Sequence, residues 1–126
     1  MDMKLELVPV PVTDVDRAKE FYVDKVGFNI DFDVNTPEMR LVQLTPPGSG
    51  CSVLLSRGNG EISDMPVGSL RGLTLVVKDV REAHDALVSK GVTMGKIIEY
   101  DRGIKMVRFE DPDCNAWFFQ EIPPGV

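Results

Sequence analysis

The sequence predicts an α+β fold made of one βαβββ unit used twice. Three observations predict it. A strand-like stretch runs straight into a helix with a capping aspartate in "LELVPVPVTDVDRAKEFY" (5–22), and the same order returns in "GLTLVVKDVREAHDAL" (72–87). One shift, which carries Asp14 65 positions on to Asp79, also lays Ala18 on Ala83, "RLVQL" (40–44) on "KMVRF" (105–109) and Pro47 on Pro112. Self-similarity at a fixed offset marks a repeated supersecondary unit. Finally, each helix is followed by three short runs of strand composition bounded by turn residues.

The first strand is predicted over residues 5–12, where Val8, Val10 and Val12 recur with period two and share a face. Pro9 and Pro11 lie between them. Alternate residues aim their backbone N–H groups at the same edge, so the two prolines spoil one edge and spare the other. This strand therefore belongs at a sheet edge or a seam. Thr13 or Asp14 caps the helix that follows. Ala18, Phe21, Tyr22 and Val26 form its buried stripe, and Gly27 ends it. In the second unit Asp79 caps, Ala83, Ala86 and Leu87 make the stripe, and Gly91 stops the helix. The later strands are expected at 29–34, 39–44 and 51–56, then at 93–98, 105–110 and 116–121.

"SRGNGEISDMPVGS" (56–69) shows neither period and holds three glycines and a proline, so it reads as a connecting segment. The 126 residues suit a single domain over 1–126, with module one at 4–57, a linker at 58–69 and module two at 70–123. A sheet with one helix covers only one of its own faces, and the other face must meet a partner. Two such sheets, from one chain or from two, can enclose a cavity.

Charge and composition exclude several function classes. A net charge of −6 and no run of Lys or Arg argue against a nucleic-acid partner. No apolar run approaches the roughly 18 to 20 residues that span a bilayer, and "MDMKLELV" has neither the basic start nor the long apolar region of a signal peptide. A cytoplasmic protein without a membrane partner is expected. Cys51 and Cys114 stand apart without CxxC spacing and read as reduced structural thiols.

"VTDVDRAKEFYVDKVGF" together with "FEDPDCNAWFFQE" closely resembles the glyoxalase, bleomycin-resistance and extradiol-dioxygenase superfamily, the vicinal oxygen chelate (VOC) fold. The resemblance implies that the two βαβββ modules curl into a cup-shaped mixed β-sheet with the helices outside, commonly in a homodimer. It also implies, for the enzymes of the superfamily, a divalent metal held by His, Glu or Gln at four inward positions. One lies on the first strand of each module, seven residues before the capping aspartate, and one on each last strand. Carried onto this chain, those positions are Leu7, Gly72, Leu54 and Phe118. None of the four can ligate a metal through its side chain. A slip of one residue offers Glu6 alone, and one donor does not make a site. His84, the sole histidine, falls on the second helix beside its stripe. No metal and no other cofactor is therefore expected.

Alternation from those positions turns Leu7, Pro9, Ser52, Leu54, Ser56, Gly72, Thr74, Ala116, Phe118 and Gln120 into the cup. Gly72 removes a side chain and leaves room for a ligand. Gln43 and Arg108 correspond under the shift and are the candidate polar anchors; Arg40 corresponds to Lys105 and should face the other way. Trp117 and Phe119 flank Phe118 and should pack on the helix side or at a seam, yet an indole also stacks on ligands. Phe28 and Phe32 are candidate rim contacts. "EYDRG" (99–103) is either a lid or a charged hairpin. The candidate ligand-binding set is thus Leu7, Pro9, Gln43, Leu54, Ser56, Gly72, Thr74, Arg108, Trp117 and Phe118.

Such a lining suits a largely apolar, aromatic small molecule held by a few polar contacts. The resemblance to the metal-free members of the superfamily implies a bacterial antibiotic-binding protein that acts by sequestration, in self-resistance or drug resistance. The alternative is a lyase, isomerase or dioxygenase of the same fold, working without the four-ligand metal site or with relocated ligands. General acid-base catalysis would need a titratable group in the cavity, and the lining offers no evident one.

Overall fold

The computed structural model describes every residue, Met1–Val126. Its contacts divide the chain into two units, Met1–Ser69 with Pro112–Asn115 and Leu70–Asp111 with Ala116–Val126. Each unit holds a four-stranded sheet with a helix on one face.

The first unit runs β1 (Leu7–Pro9), α1 (Val15–Glu20), β2 (Asn29–Asn35), β3 (Arg40–Thr45) and β4 (Ser52–Arg57), in spatial order β1-β4-β3-β2. β1 is parallel to β4, and the remaining pairs are antiparallel. As the prolines required, β1 sits at the end of the sheet. It is shorter than expected, although Ser52 N–H to Glu6 O (2.8 Å) and Val10 N–H to Leu54 O (2.9 Å) extend its pairing. Asp14 is the cap, accepting from Arg17 N at 3.1 Å. Beyond α1 the helix widens into a π-helical turn, Phe21–Val26, and closes on Gly27 at φ 97°. The wider turn carries Val26 off the stripe, where it is half-buried, while Phe21 and Tyr22 stay in the core. Tyr22 stacks on Phe28 with ring centroids 5.4 Å apart. Phe28 is therefore a core residue and not a rim contact.

The loop 112–115 lies between two strands of the second unit but belongs by its contacts to the first. Asp113 accepts from Thr13 N (3.1 Å) and from Arg17 Nη2 (2.9 Å). Fully buried Asn115 donates Nδ2–H to the Pro11 carbonyl at 2.9 Å. The aspartate and asparagine of "DPDCN" thus clip the turn that joins β1 to α1, and the motif is explained by satisfied backbone groups. Gly68 makes room for this clip: a Cβ there would stand 2.2 Å from the Asp113 carbonyl oxygen.

The second unit repeats the order with β5 (Arg71–Val76), α2 (Val80–Ser89), β6 (Ile98–Glu99), β7 (Lys105–Glu110) and β8 (Ala116–Glu121), arranged β5-β8-β7-β6. Asp79 accepts from Glu82 N at 3.1 Å, and Glu121 accepts from Val80 N at 2.9 Å. The stripe of α2 differs from expectation. Val80 and Leu87, two turns apart, are its buried residues, Ala83 is half-buried and Ala86 is exposed. Phe109 stacks on Trp117 (6.3 Å) and tilts against Phe119 (5.0 Å) to make the core of this unit. The strand expected over 93–98 shrinks to a bridge at Met94 and the two residues of β6. Residues 99–103 form a tight hairpin, closed by Tyr100 N–H to Ile104 O at 2.7 Å.

Candidate functional site

Strand register assigns every side chain to the helix side or to the helix-free side of its own sheet, since directly paired residues share a face. In the first sheet Val42 pairs with Leu55 and Leu44 with Val53, and all four are buried under α1. The opposite parity holds Leu7 beside Ser52, Pro9 beside Leu54, Gln43 beside Leu54 and Leu41 beside Ser56. The candidates Leu7, Pro9, Gln43, Leu54 and Ser56 therefore share the helix-free face. They are not equally available. Leu7, Pro9 and Gln43 are half-exposed, Leu54 is 6% exposed, and the Ser56 hydroxyl is taken up by Ser63 at 2.9 Å.

The same face carries a residue that alternation alone would misplace. The β2–β3 register shifts between Ile30 and Phe32, so Asp31 is the extra residue of a bulge. Its side chain joins Gln43 and Thr45: Oδ2 accepts from Gln43 Nε2 at 3.1 Å and from the Thr45 hydroxyl. Thr45 Oγ1 in turn lies 2.6 Å from Ser52 Oγ. The Thr45 hydrogen bond, then that of Gln43, holds the Asp31 carboxyl below the usual carboxylate range. Phe32 and Val34 lie beside it, exposed.

On the helix side, Arg40 is 8% exposed and faces α1, away from Gln43. It grips Asp33 with two bonds of 2.9 Å and reaches Asp16 at 2.6 Å, while Lys19 meets Asp33 at 2.7 Å. Hydrogen bonds from Arg40, then from Lys19, hold the Asp33 carboxyl far below the usual range.

In the second sheet Thr74 and Arg108 both pair with Phe118, and Val76 and Met106 both pair with Gln120, so these six share its helix-free face. Arg108 is held by Glu110 at 2.8 Å and stays about half-exposed. Gly72 sits at a bulge in β5 with φ 90°, and its carbonyl accepts from the Thr74 hydroxyl at 2.8 Å. The glycine thus serves the backbone conformation, which other residues rarely adopt, as well as leaving space; a Cβ there would meet nothing within 4 Å. Trp117 corrects the candidate set. It pairs with Leu73 and Phe109, is 2% exposed and lies in the helix-side core, because its parity is opposite to that of Phe118. Its ring presents no surface to a ligand. A groove of ≈ 310 Å³ beside the start of α2 is also on the helix side, lined by Asp79, Lys105 and Glu121 among others.

The donor set does not fit the superfamily's metal. Leu7, Leu54, Gly72 and Phe118 offer no side-chain ligand, and nowhere in the chain do three or more His, Cys, Asp or Glu side chains come together as a metal-binding group. His84 is half-buried on α2, with Nδ1 2.8 Å from Asp85.

Comparison with solved structures agrees with this architecture. An antibiotic binding protein, TnmS3 from Streptomyces sp. CB03234, is 33% identical, with a TM-score of 0.85 over 97% of this chain and 98% of that one. A glyoxalase/bleomycin resistance protein from the same Streptomyces strain is 34% identical, with a TM-score of 0.78 over 92% and 98%. A member of the superfamily from Sphaerobacter thermophilus DSM 20745 is 32% identical, with a TM-score of 0.80 over 95% and 98%. No curated protein matches the sequence. The family match spans residues 4–119, nearly the whole repeated frame, and with the paired β-β-β-β order of both sheets it shows that the chain belongs to the Glyoxalase/Bleomycin resistance protein/Dioxygenase superfamily.

Proposed function

We propose that this protein is a metal-free small-molecule receptor, binding a largely apolar, aromatic antibiotic or other natural product and acting by sequestration. The observation that carries the reading is the replacement of all four expected ligand positions by Leu7, Leu54, Gly72 and Phe118. The helix-free face of the first sheet offers Pro9, Phe32, Val34 and Leu41, and that of the second, by itself, Val76 and Met106; each is an apolar surface against which a flat ring gains burial and dispersion. Likeness to the antibiotic binding protein of Streptomyces supports the same class of ligand.

Turnover is disfavoured by the one carboxylate among these apolar residues of the first sheet. A general acid or base works best with a pKa near the operating pH, and the shift at Asp31 runs the other way. Residues 1–126 act in this reading as one domain, with modules at 4–57 and 70–123, in a homodimer. Thermal denaturation with a panel of polycyclic aromatic compounds tests it. A binder in hundredfold excess over its Kd adds about 2.7 kcal/mol and raises Tm by several degrees. A panel that leaves Tm unmoved, with turnover of a thiohemiacetal or catechol substrate instead, contradicts it.

A further inference from the structure

The polar network on the first sheet dictates which polar group the ligand carries, and this inference rests on the receptor reading above. Thr45 has a single hydroxyl proton, and it is committed to Asp31 Oδ2. In the 2.6 Å contact with Thr45 Oγ1, Ser52 must therefore be the donor. The Gln43 amide group points its N–H at the same carboxylate oxygen at 3.1 Å, with a longer approach of 3.5 Å to Ser52 Oγ. Every donor in the cluster thus runs toward Asp31 Oδ2. The Ser52 hydroxyl also bears on the Asp31 carboxyl, and what the cluster offers a ligand is acceptor only, the outer lone pairs of Asp31 Oδ1 and the Gln43 carbonyl oxygen.

The arrangement is built rather than incidental to the repeat. The bridge of Met94 to Phe109 matches the pairing of Ile30 with Leu44, so the second module has Gly95 where the first has Asp31, and Arg108 where the first has Gln43; the frame itself requires neither polar residue. The bulge brings Asp31 onto this face, and Ser52, 6% exposed, anchors the inner end of the network. Exposed Phe32 stands next to Asp31, placing an aromatic surface beside a negative charge.

We infer that Asp31 determines ligand specificity: it receives a hydrogen-bond donor, above all a protonated amine, borne on a flat apolar ligand. Gln43, Thr45 and Ser52 are positioning residues that fix the carboxylate and leave one oxygen outward. A ligand whose only polar groups are carboxylates or carbonyls would meet acceptor against acceptor, at a desolvation cost with no bond in return. A charged donor gains a charge-assisted bond instead.

Three fluorescent probes with the same ring test this on the full chain: 9-(aminomethyl)anthracene, 9-anthracenecarboxylate and 9-methylanthracene. The wild type is expected to bind the ammonium probe about tenfold more tightly than the carboxylate probe. Asp31→Asn should remove that preference, read as the ratio of the ammonium to the carboxylate probe's affinity against methylanthracene as the uncharged reference, and Thr45→Val should weaken it in part. Equal affinity of the wild type for the two charged probes overturns the inference without any variant, and so does a preference that survives in Asp31→Asn. Methylanthracene binding with no charge preference sinks this inference alone, whereas failure of all three probes sinks the receptor reading with it.

Discussion

The two modules share their topology but not their use of charge. In the first, Arg40 is buried, doubly bonded to Asp33 and tied to Asp16; in the second, the corresponding Lys105 is 39% exposed and 3.9 Å from Glu121. The outer strands differ as well. β2 runs for seven residues and carries the bulge with Asp31, whereas β6 has two residues and ends in a tight hairpin. On the helix-free faces, an Asp31–Gln43–Thr45 network stands where the second module has Gly95, Arg108 and Glu110. The duplicated frame keeps strand order and caps, while the side chains laid on it, and the length of the outer strand, differ between the halves.

The largest expected effect separates the faces of one strand. Trp117→Ala should cost about 3–5 kcal/mol in chemical denaturation, because it empties the core beside Phe109. Phe118→Ala should cost about 1 kcal/mol, since the residue is only half-buried, but should abolish the thermal shift given by an aromatic ligand. Equal stability losses with ligand binding intact in both would break the assignment of faces.

The contrast between Arg40 and Lys105 comes next. Arg40→Ala takes two guanidinium bonds from Asp33, which keeps Lys19, and one from exposed Asp16, and should cost about 2 kcal/mol, whereas Lys105→Ala should cost under about 0.5 kcal/mol. Asp33 supplies a pH signature for the same network. Its folded pKa lies below the unfolded value of about 3.9, so its stabilisation is complete at neutral pH and is lost as pH falls through the acid range. Comparing wild type with Asp33→Asn in denaturation curves from pH 7 to 2 should therefore show a gap that narrows as pH falls below about 4.

Much of this was legible in the residues. The aspartate caps, the edge position of β1 dictated by Pro9 and Pro11, and the opposite facing of Arg40 and Arg108 all follow from local stereochemistry and alternation. What escaped the sequence lies at places where the period breaks. Asp31 and Gly72 each sit at a bulge, and an inserted residue shifts parity without any signature in composition. Val26 left its stripe because the helix widens into a π turn, and Ser56 is engaged by Ser63 of the connecting segment. Trp117 was readable from parity, which turns its indole away from Phe118 and to the helix side.

The claim that this chain is a receptor and not a metalloenzyme is tested most directly by elemental analysis of protein prepared without chelator, followed by titration with Mn, Ni, Zn and Fe. The donor set predicts far less than one ion per chain and no change in Tm on addition of any of the four metals. One tightly held transition metal ion per chain, lost together with stability on chelation, would contradict the account.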